Sequence, residues 1–168
     1  SVRSVANDVE LYRLPGPGVQ AWDTVFSPSG DFLAVHYEAR GRVHMILWDL
    51  RTRTKHWEQE GPWANGWEFS PDDRWFVFFT KGNDASLFDI SEKKVAKTFK
   101  HWNGRGMFAF DPDSKVLAIH QPGFVDLYHL PGLDKKQRIV TGATQAGGGA
   151  FSPDGGELAG LPAEEKYL

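Results

Sequence analysis

Phe26-Ser27-Pro28-Ser29-Gly30, Phe69-Ser70-Pro71-Asp72-Asp73, Phe110-Asp111-Pro112-Asp113-Ser114 and Phe151-Ser152-Pro153-Asp154-Gly155 begin 43, 41 and 41 residues apart. A short apolar run follows each: Phe32 to Val35, Trp75 to Phe79, Val116 to Ile119, and the poorer Leu158 to Leu161. A second series is offset from the first. It reads Trp48-Asp49-Leu50, Phe88-Asp89-Ile90 and Tyr128-His129-Leu130, with 40 residues between neighbours, and Tyr12-Arg13-Leu14 stands 36 residues ahead of Trp48. Two series sharing one period define a repeat, and a period of this length points to stacked supersecondary units.

Each period reads as strands. The runs on either side of the Ser-Pro or Asp-Pro turn are four to six residues long, aromatic and β-branched, and bounded by Gly, Asp, Ser and Pro. Proline presets φ for the second position of a β-turn, and the Asp, Ser or Gly behind it tolerates the rest of the turn geometry. No segment sustains the i, i+3, i+4 apolar pattern of a helix. Four strands per period are expected: one ending at the Phe, one after the turn, one ending at Trp-Asp or its substitute, and an outer strand. The outer strands are expected near Lys55 to Glu58, Val95 to Phe99 and Gln137 to Val140.

Repeats of this length, with Ile46-Leu47-Trp48-Asp49-Leu50 and the Phe-Ser-Pro turns, resemble the WD40 family of β-propellers. The resemblance implies an all-β chain of four-stranded antiparallel blades, expected to serve as a non-enzymatic platform for protein or peptide partners; the alternatives are an accessory or sensory propeller of a larger enzyme such as a kinase or peptidase, and an excised or engineered propeller fragment with no independent activity. It departs from the family where a Gly-His pair often precedes the innermost strand, since the matching stretches read Gly61-Pro62-Trp63, Lys100-His101 and Gly142-Ala143. The expected division is a partial blade over 1–21, blades over 22–60, 61–101 and 102–145, and a partial blade over 146–168. Val9 to Leu14 is expected to supply a third strand with nothing before it, with Pro15-Gly16-Pro17-Gly18 where an outer strand belongs. Either about four blades close in one chain, or an open arc is completed by self-association or by a longer parent protein.

Composition narrows the chemistry. The chain of 168 residues holds 22 acidic and 19 basic side chains, a formal charge of −3, which gives no one-signed field for nucleic acid or an anionic membrane. With no cysteine, a disulfide, a thiolate metal site and a thiol nucleophile are excluded. No apolar run approaches the roughly 20 residues that cross a bilayer as a helix, and no apolar signal region opens the chain, so a cytoplasmic location is expected. No Gly-x-Ser-x-Gly elbow or phosphate-binding loop occurs, and Gly147-Gly148-Gly149 precedes a strand, marking close backbone approach. His36 and His120 hold equivalent places in two repeats, ten residues after their Phe, and read as structural rather than as one metal site. Asp72, Asp73, Asp111, Asp113 and Asp154 lie in turns, where a carboxylate bonds backbone N–H groups. No enzyme activity, cofactor or metal is expected.

Two features point to binding. Trp22, Trp63 and Trp102 precede the anchor phenylalanines, in connections expected to converge on one face, with Gln20, Asn65, Asn103 and Gln145 beside them. Tryptophan anchors interfaces well because it buries much area for few torsions; the plainer reading is that each caps a gap between blades. Ten of the 19 basic residues, from Arg51, Arg53 and Lys55 to Lys135, Lys136 and Arg138, follow the third strands. They protect sheet edges from pairing or form a cationic rim for an acidic protein segment or nucleic acid.

Overall fold

The computed structural model describes residues 1–17, 20–39, 42–61, 66–80, 84–100, 107–142 and 148–160, which form strands, turns and extended chain with no helix. The chain divides into two compact units, Ser1–Pro62 and Trp63–Leu168.

In the first unit, β1 (Val2–Arg3) and β2 (Glu10–Tyr12) form a hairpin, and β3 (Gln20–Phe26), β4 (Phe32–Ala39), β5 (Arg42–Asp49) and β6 (Thr54–Gly61) form a four-stranded antiparallel meander. The hairpin corrects one expectation, because β1 stands before the strand that contains Tyr12. It packs Val2, Tyr12 and Leu14 on the face of the meander built by Leu33, Val35, Ile46, Trp48 and Leu50. No strand occupies 13–17, where Pro15 and Pro17 have no N–H to donate to a ladder. Gly16 lies so close to the Tyr37 ring that a Cβ there would overlap it.

The second unit holds two further meanders. One is β7 (Trp67–Phe69), β8 (Trp75–Phe79), β9 (Ala85–Asp89) and β10 (Lys94–Phe99); the other is β11 (Met107–Phe110), β12 (Val116–Gln121), β13 (Phe124–His129) and β14 (Lys135–Val140). A hairpin of β15 (Gly149–Phe151) and β16 (Leu158–Gly160) ends the described chain. The inner strands are buried on both faces, so they read as continuous apolar runs rather than alternating ones: all five residues of Trp75 to Phe79 are buried. Alternate residues of β11 and β12 serve different neighbours. Phe108, Phe110, Leu117 and Ile119 pack on Trp75, Val77, Phe79 and Leu87, whereas Ala109 and Ala118 face the hairpin through Phe151 and Leu158. Successive sheets therefore stack face to face within this unit, each covering the apolar side of the next.

The turn that follows each anchor phenylalanine is built the same way four times. The side-chain oxygen of the next residue accepts a hydrogen bond from the N–H five residues on: Ser27 from Phe32 at 3.1 Å, Ser70 from Trp75 at 2.8 Å, Asp111 from Val116 at 2.7 Å and Ser152 from Glu157 at 2.9 Å. The backbone N–H of each capping residue is bonded in return to the carbonyl of the same partner. The fourth residue after the phenylalanine takes positive φ each time, at Gly30, Asp73, Ser114 and Gly155. Within each of these turns that position needs the left-handed region, which glycine enters freely and Asp enters at small cost. Ser114 is kept for another reason. Its hydroxyl accepts from the Asp72 N–H at 3.1 Å, joining two neighbouring turns of the second unit.

The third-to-outer hairpins repeat a second device. Arg53, Lys93 and Leu133 have positive φ, and one extra residue, His56, Ala96 or Lys136, interrupts each register three positions later. Such a bulge sharpens strand twist and shifts which side chains share a face. In the first two hairpins, Asp49 accepts the Thr52 N–H at 3.2 Å and Asp89 accepts the Glu92 N–H at 3.0 Å, so the aspartate after the aromatic residue caps its own turn.

Removing the cap of the buried turn by Ser70→Ala leaves the Trp75 N–H without its acceptor and should cost about 2 kcal/mol. The same change at the exposed Ser152 should cost less than about 1 kcal/mol, because water replaces the lost oxygen. Urea denaturation of the two variants checks the difference.

Candidate functional site

Gln20 and Trp22 lie inside β3 and not in the connection before it, which corrects their expected placement. The strand reaches that far because β4 runs on to Ala39 and keeps pairing: Gln20 faces Glu38 and Ala21 faces Tyr37. Trp22 is the extra residue of a bulge between the Ala21–Tyr37 and Asp23–His36 pairs. Out of register with β4, it donates its indole N–H to Glu38 Oε2 at 3.0 Å. The ring is thereby oriented while half of it, 50 %, stays in solvent. Four residues on, Phe26 is 53 % exposed, whereas its counterparts Phe69 and Phe110 are each 6 % exposed. The tethered indole with the carboxamide and carboxylate of Gln20 and Glu38 can bury apolar area and add directional hydrogen bonds, whereas Phe26, paired with Leu33, lies on the other face of the sheet. Trp63, Asn65, Trp102, Asn103 and Gln145 lie outside the described residues.

The histidines sit where the repeat predicts. His36 and His120 are buried on β4 and β12, and burial pushes both imidazoles below their ordinary value, with Asp23 opposing this at His36. The His120 ring rests on Gly149, where a Cβ would overlap it and come within 2.8 Å of the Ala159 carbonyl oxygen. This is the close approach expected of the glycine run. His44 lies 3.3 Å from Glu58 across the β5–β6 pair, and His56 packs edge-on to Phe32. No group of three or more His, Cys, Asp or Glu side chains able to hold a metal ion occurs among the described residues. The turn carboxylates do what their positions suggest: Asp72 accepts the Arg74 N–H at 3.1 Å and Asp154 the Gly156 N–H at 3.0 Å.

Glu68 carried no warning in the sequence. It sits on β7 beside β11, with the Phe110 N–H donating to Oε1 at 3.4 Å, and burial pushes its carboxyl up to about 7. One long hydrogen bond does not offset the loss of water around a carboxylate.

No family model matches the chain, and no curated protein matches it. Its fold is similar to a solved structure, Kuenenia stuttgartiensis hydrazine synthase, with a TM-score of 0.62 at 21 % identity, over 92 % of this chain and 44 % of that one. The chain thus spans less than half the length of that neighbour. At this identity the likeness concerns the fold alone. Together with three four-stranded antiparallel sheets among the described residues, it defines an all-β chain of the β-propeller type. No described helix is long and apolar enough to cross a membrane.

Because its folded value lies above the ordinary 4.5, Glu68 binds its proton more tightly when folded, and the associated stability is lost as pH rises from about 4.5 through 7. Glu68→Gln should therefore gain on the parent protein over that window, reaching roughly 2–3 kcal/mol by pH 8 and vanishing below pH 4.5. The buried histidines act in the opposite sense, losing stability as pH falls below about 6.5. They do so equally in both proteins, so the difference between the two denaturation curves isolates Glu68.

Proposed function

We propose that this chain is a non-enzymatic interaction platform, a WD40-like propeller segment that engages a protein or peptide partner through the exposed edge at Trp22. The observation that carries the reading is the orientation of the indole. A half-exposed tryptophan held by Glu38 at the bulge of β3 has already lost torsional freedom, so a partner that covers it gains buried area at little entropic cost. Gln20 and Glu38 flank the ring as polar groups. The WD40-like character is supported by the recurrence of Trp48-Asp49 as Phe88-Asp89, with each aspartate capping its turn.

A second reading, self-association, is favoured by Phe26. Its counterparts Phe69 and Phe110 are buried, while Phe26 is 53 % exposed and offers apolar surface suited to a second copy.

Selection from a displayed peptide library should enrich a common motif on the parent protein, and Trp22→Ala, with its thermal transition retained, should lower that enrichment at least about tenfold, the equivalent of roughly 1.4 kcal/mol. Equal enrichment by the variant sinks the site. Light scattering at micromolar concentration reads the second possibility: a dimer or larger species should shift toward monomer on Phe26→Ser, and a parent protein already monomeric excludes self-association through this residue.

A further inference from the structure

A second candidate surface belongs to the Trp63–Leu168 unit. A cavity of about 430 Å³ opens between the outer strands β10 and β14, lined by Lys97, Lys100, Lys135 and Arg138 together with Phe99, Phe124, Tyr128 and Asp126. Edge lysines that merely discourage strand pairing swing freely in water. These do not. Lys97 Nζ lies 5.1 Å from the centre of the Tyr128 ring and 5.5 Å from that of Phe99, and donates to the Leu133 carbonyl oxygen at 2.6 Å. The Arg138 guanidinium lies 3.7 Å from the centre of the Phe124 ring.

The organising group is Asp126, which is buried on β13. Arg138 donates to both of its oxygens through Nε and Nη2 at 2.7 Å, and Lys135 Nζ lies 2.7 Å from Oδ1. Burial opposes ionisation of this carboxyl, but the bonds from Arg138 and Lys135 outweigh it and hold the group below the ordinary carboxylate range. The bulge at Lys136 makes the arrangement possible. In a regular strand residues 135 and 138 point to opposite faces; the extra residue puts both on the Asp126 face. Lys100 is held at the mouth by Asp84 at 2.6 Å. Asp126 and Asp84 together balance two of the four cations and leave a surplus of two positive charges, already fixed in place.

We propose that this cavity binds a short acidic segment of a partner protein, its carboxylates meeting Lys97, Lys100 and the outer edge of Arg138. Charge complementarity sets the sign of the occupant. The rings favour a peptide over nucleic acid: a cation already lies over one face of Phe124, Phe99 and Tyr128, and Phe99 is buried, which leaves bases little aromatic surface to stack on. An extended segment also suits the place, because β10 and β14 are the terminal strands of their sheets and present backbone edges.

The test is fluorescence anisotropy with a labelled oligoglutamate peptide, against a neutral oligoglutamine peptide of the same length, inorganic phosphate and an oligouridylate as competitors. The expected result is oligoglutamate binding that weakens with added salt, is not shared by oligoglutamine, and falls at least about tenfold in Lys97→Met/Lys100→Met. Trp22→Ala should leave it unchanged, which separates this site from the proposed platform edge. In the parent protein, NMR titration should shift the backbone signals of residues 97–100 and 135–138 and spare those of β3, a reading that holds even if the double variant folds poorly. The proposal is overturned by absence of oligoglutamate binding, by equal affinity for oligoglutamine, by shifts confined to β3, by displacement with inorganic phosphate at micromolar concentration, which assigns a small-anion site, or by tighter binding of oligouridylate.

Discussion

One hydrogen bond, repeated four times, sets the frame of the molecule. The oxygen of Ser27, Ser70, Asp111 or Ser152 holds the N–H five residues further on, closing the turn between the first two strands of each sheet. Closure of that turn fixes which residue of the second strand faces the anchor phenylalanine, and a slip of one position would exchange the two faces of the strand. In β11 and β12 the consequence is plain: Phe108, Phe110, Leu117 and Ile119 all fall on the side of the preceding sheet, and the alanines fall on the side of the terminal hairpin. The cap is small, but the stacking of large aromatic residues depends on the register it sets.

The bulges at His56, Ala96 and Lys136 play the complementary part at the outer side of each sheet. The same backbone step has different uses according to the side chains it carries. In the β13–β14 pair it gathers two cations on one buried carboxylate. In the β9–β10 pair it precedes Lys97, which reaches Tyr128 and Leu133 of the next sheet, so the two outer hairpins of the second unit are tied by an ammonium group as well as by apolar contact. The bulge in β3 is of another kind. It falls at the entry of an innermost strand and turns Trp22 outward.

Much of this architecture was legible because turn chemistry is local. Proline, serine and aspartate act on their own backbone within five residues, so their spacing announces the hairpins, and the apolar runs between them announce strands buried on both faces. The outer strands were expected at Lys55, Val95 and Gln137, and they occur as Thr54–Gly61, Lys94–Phe99 and Lys135–Val140. The bulges were not legible. His56, Ala96 and Lys136 share no property that marks an extra residue, since a bulge of this type is demanded by the twist of the partner strand and not by the side chain that occupies it. The reach of β3 back to Gln20 is equally hidden, because it follows from pairing with the far end of β4 and not from any property of Trp22 itself.

What the sequence determined by itself was the repeat, the strand class, the turns and the absence of thiol chemistry, all of which follow from short-range covalent geometry and composition. The tertiary structure alone decided which charges and rings meet. Asp126 and Arg138 stand 12 residues apart, and Lys97 and Leu133 stand 36 apart, distances at which no local preference acts. Their meeting depends on strand pairing and on the stacking of one sheet against the next. The same holds for Glu68, an ordinary carboxylate in the sequence, whose unusual proton affinity arises only because the neighbouring strand takes away its water.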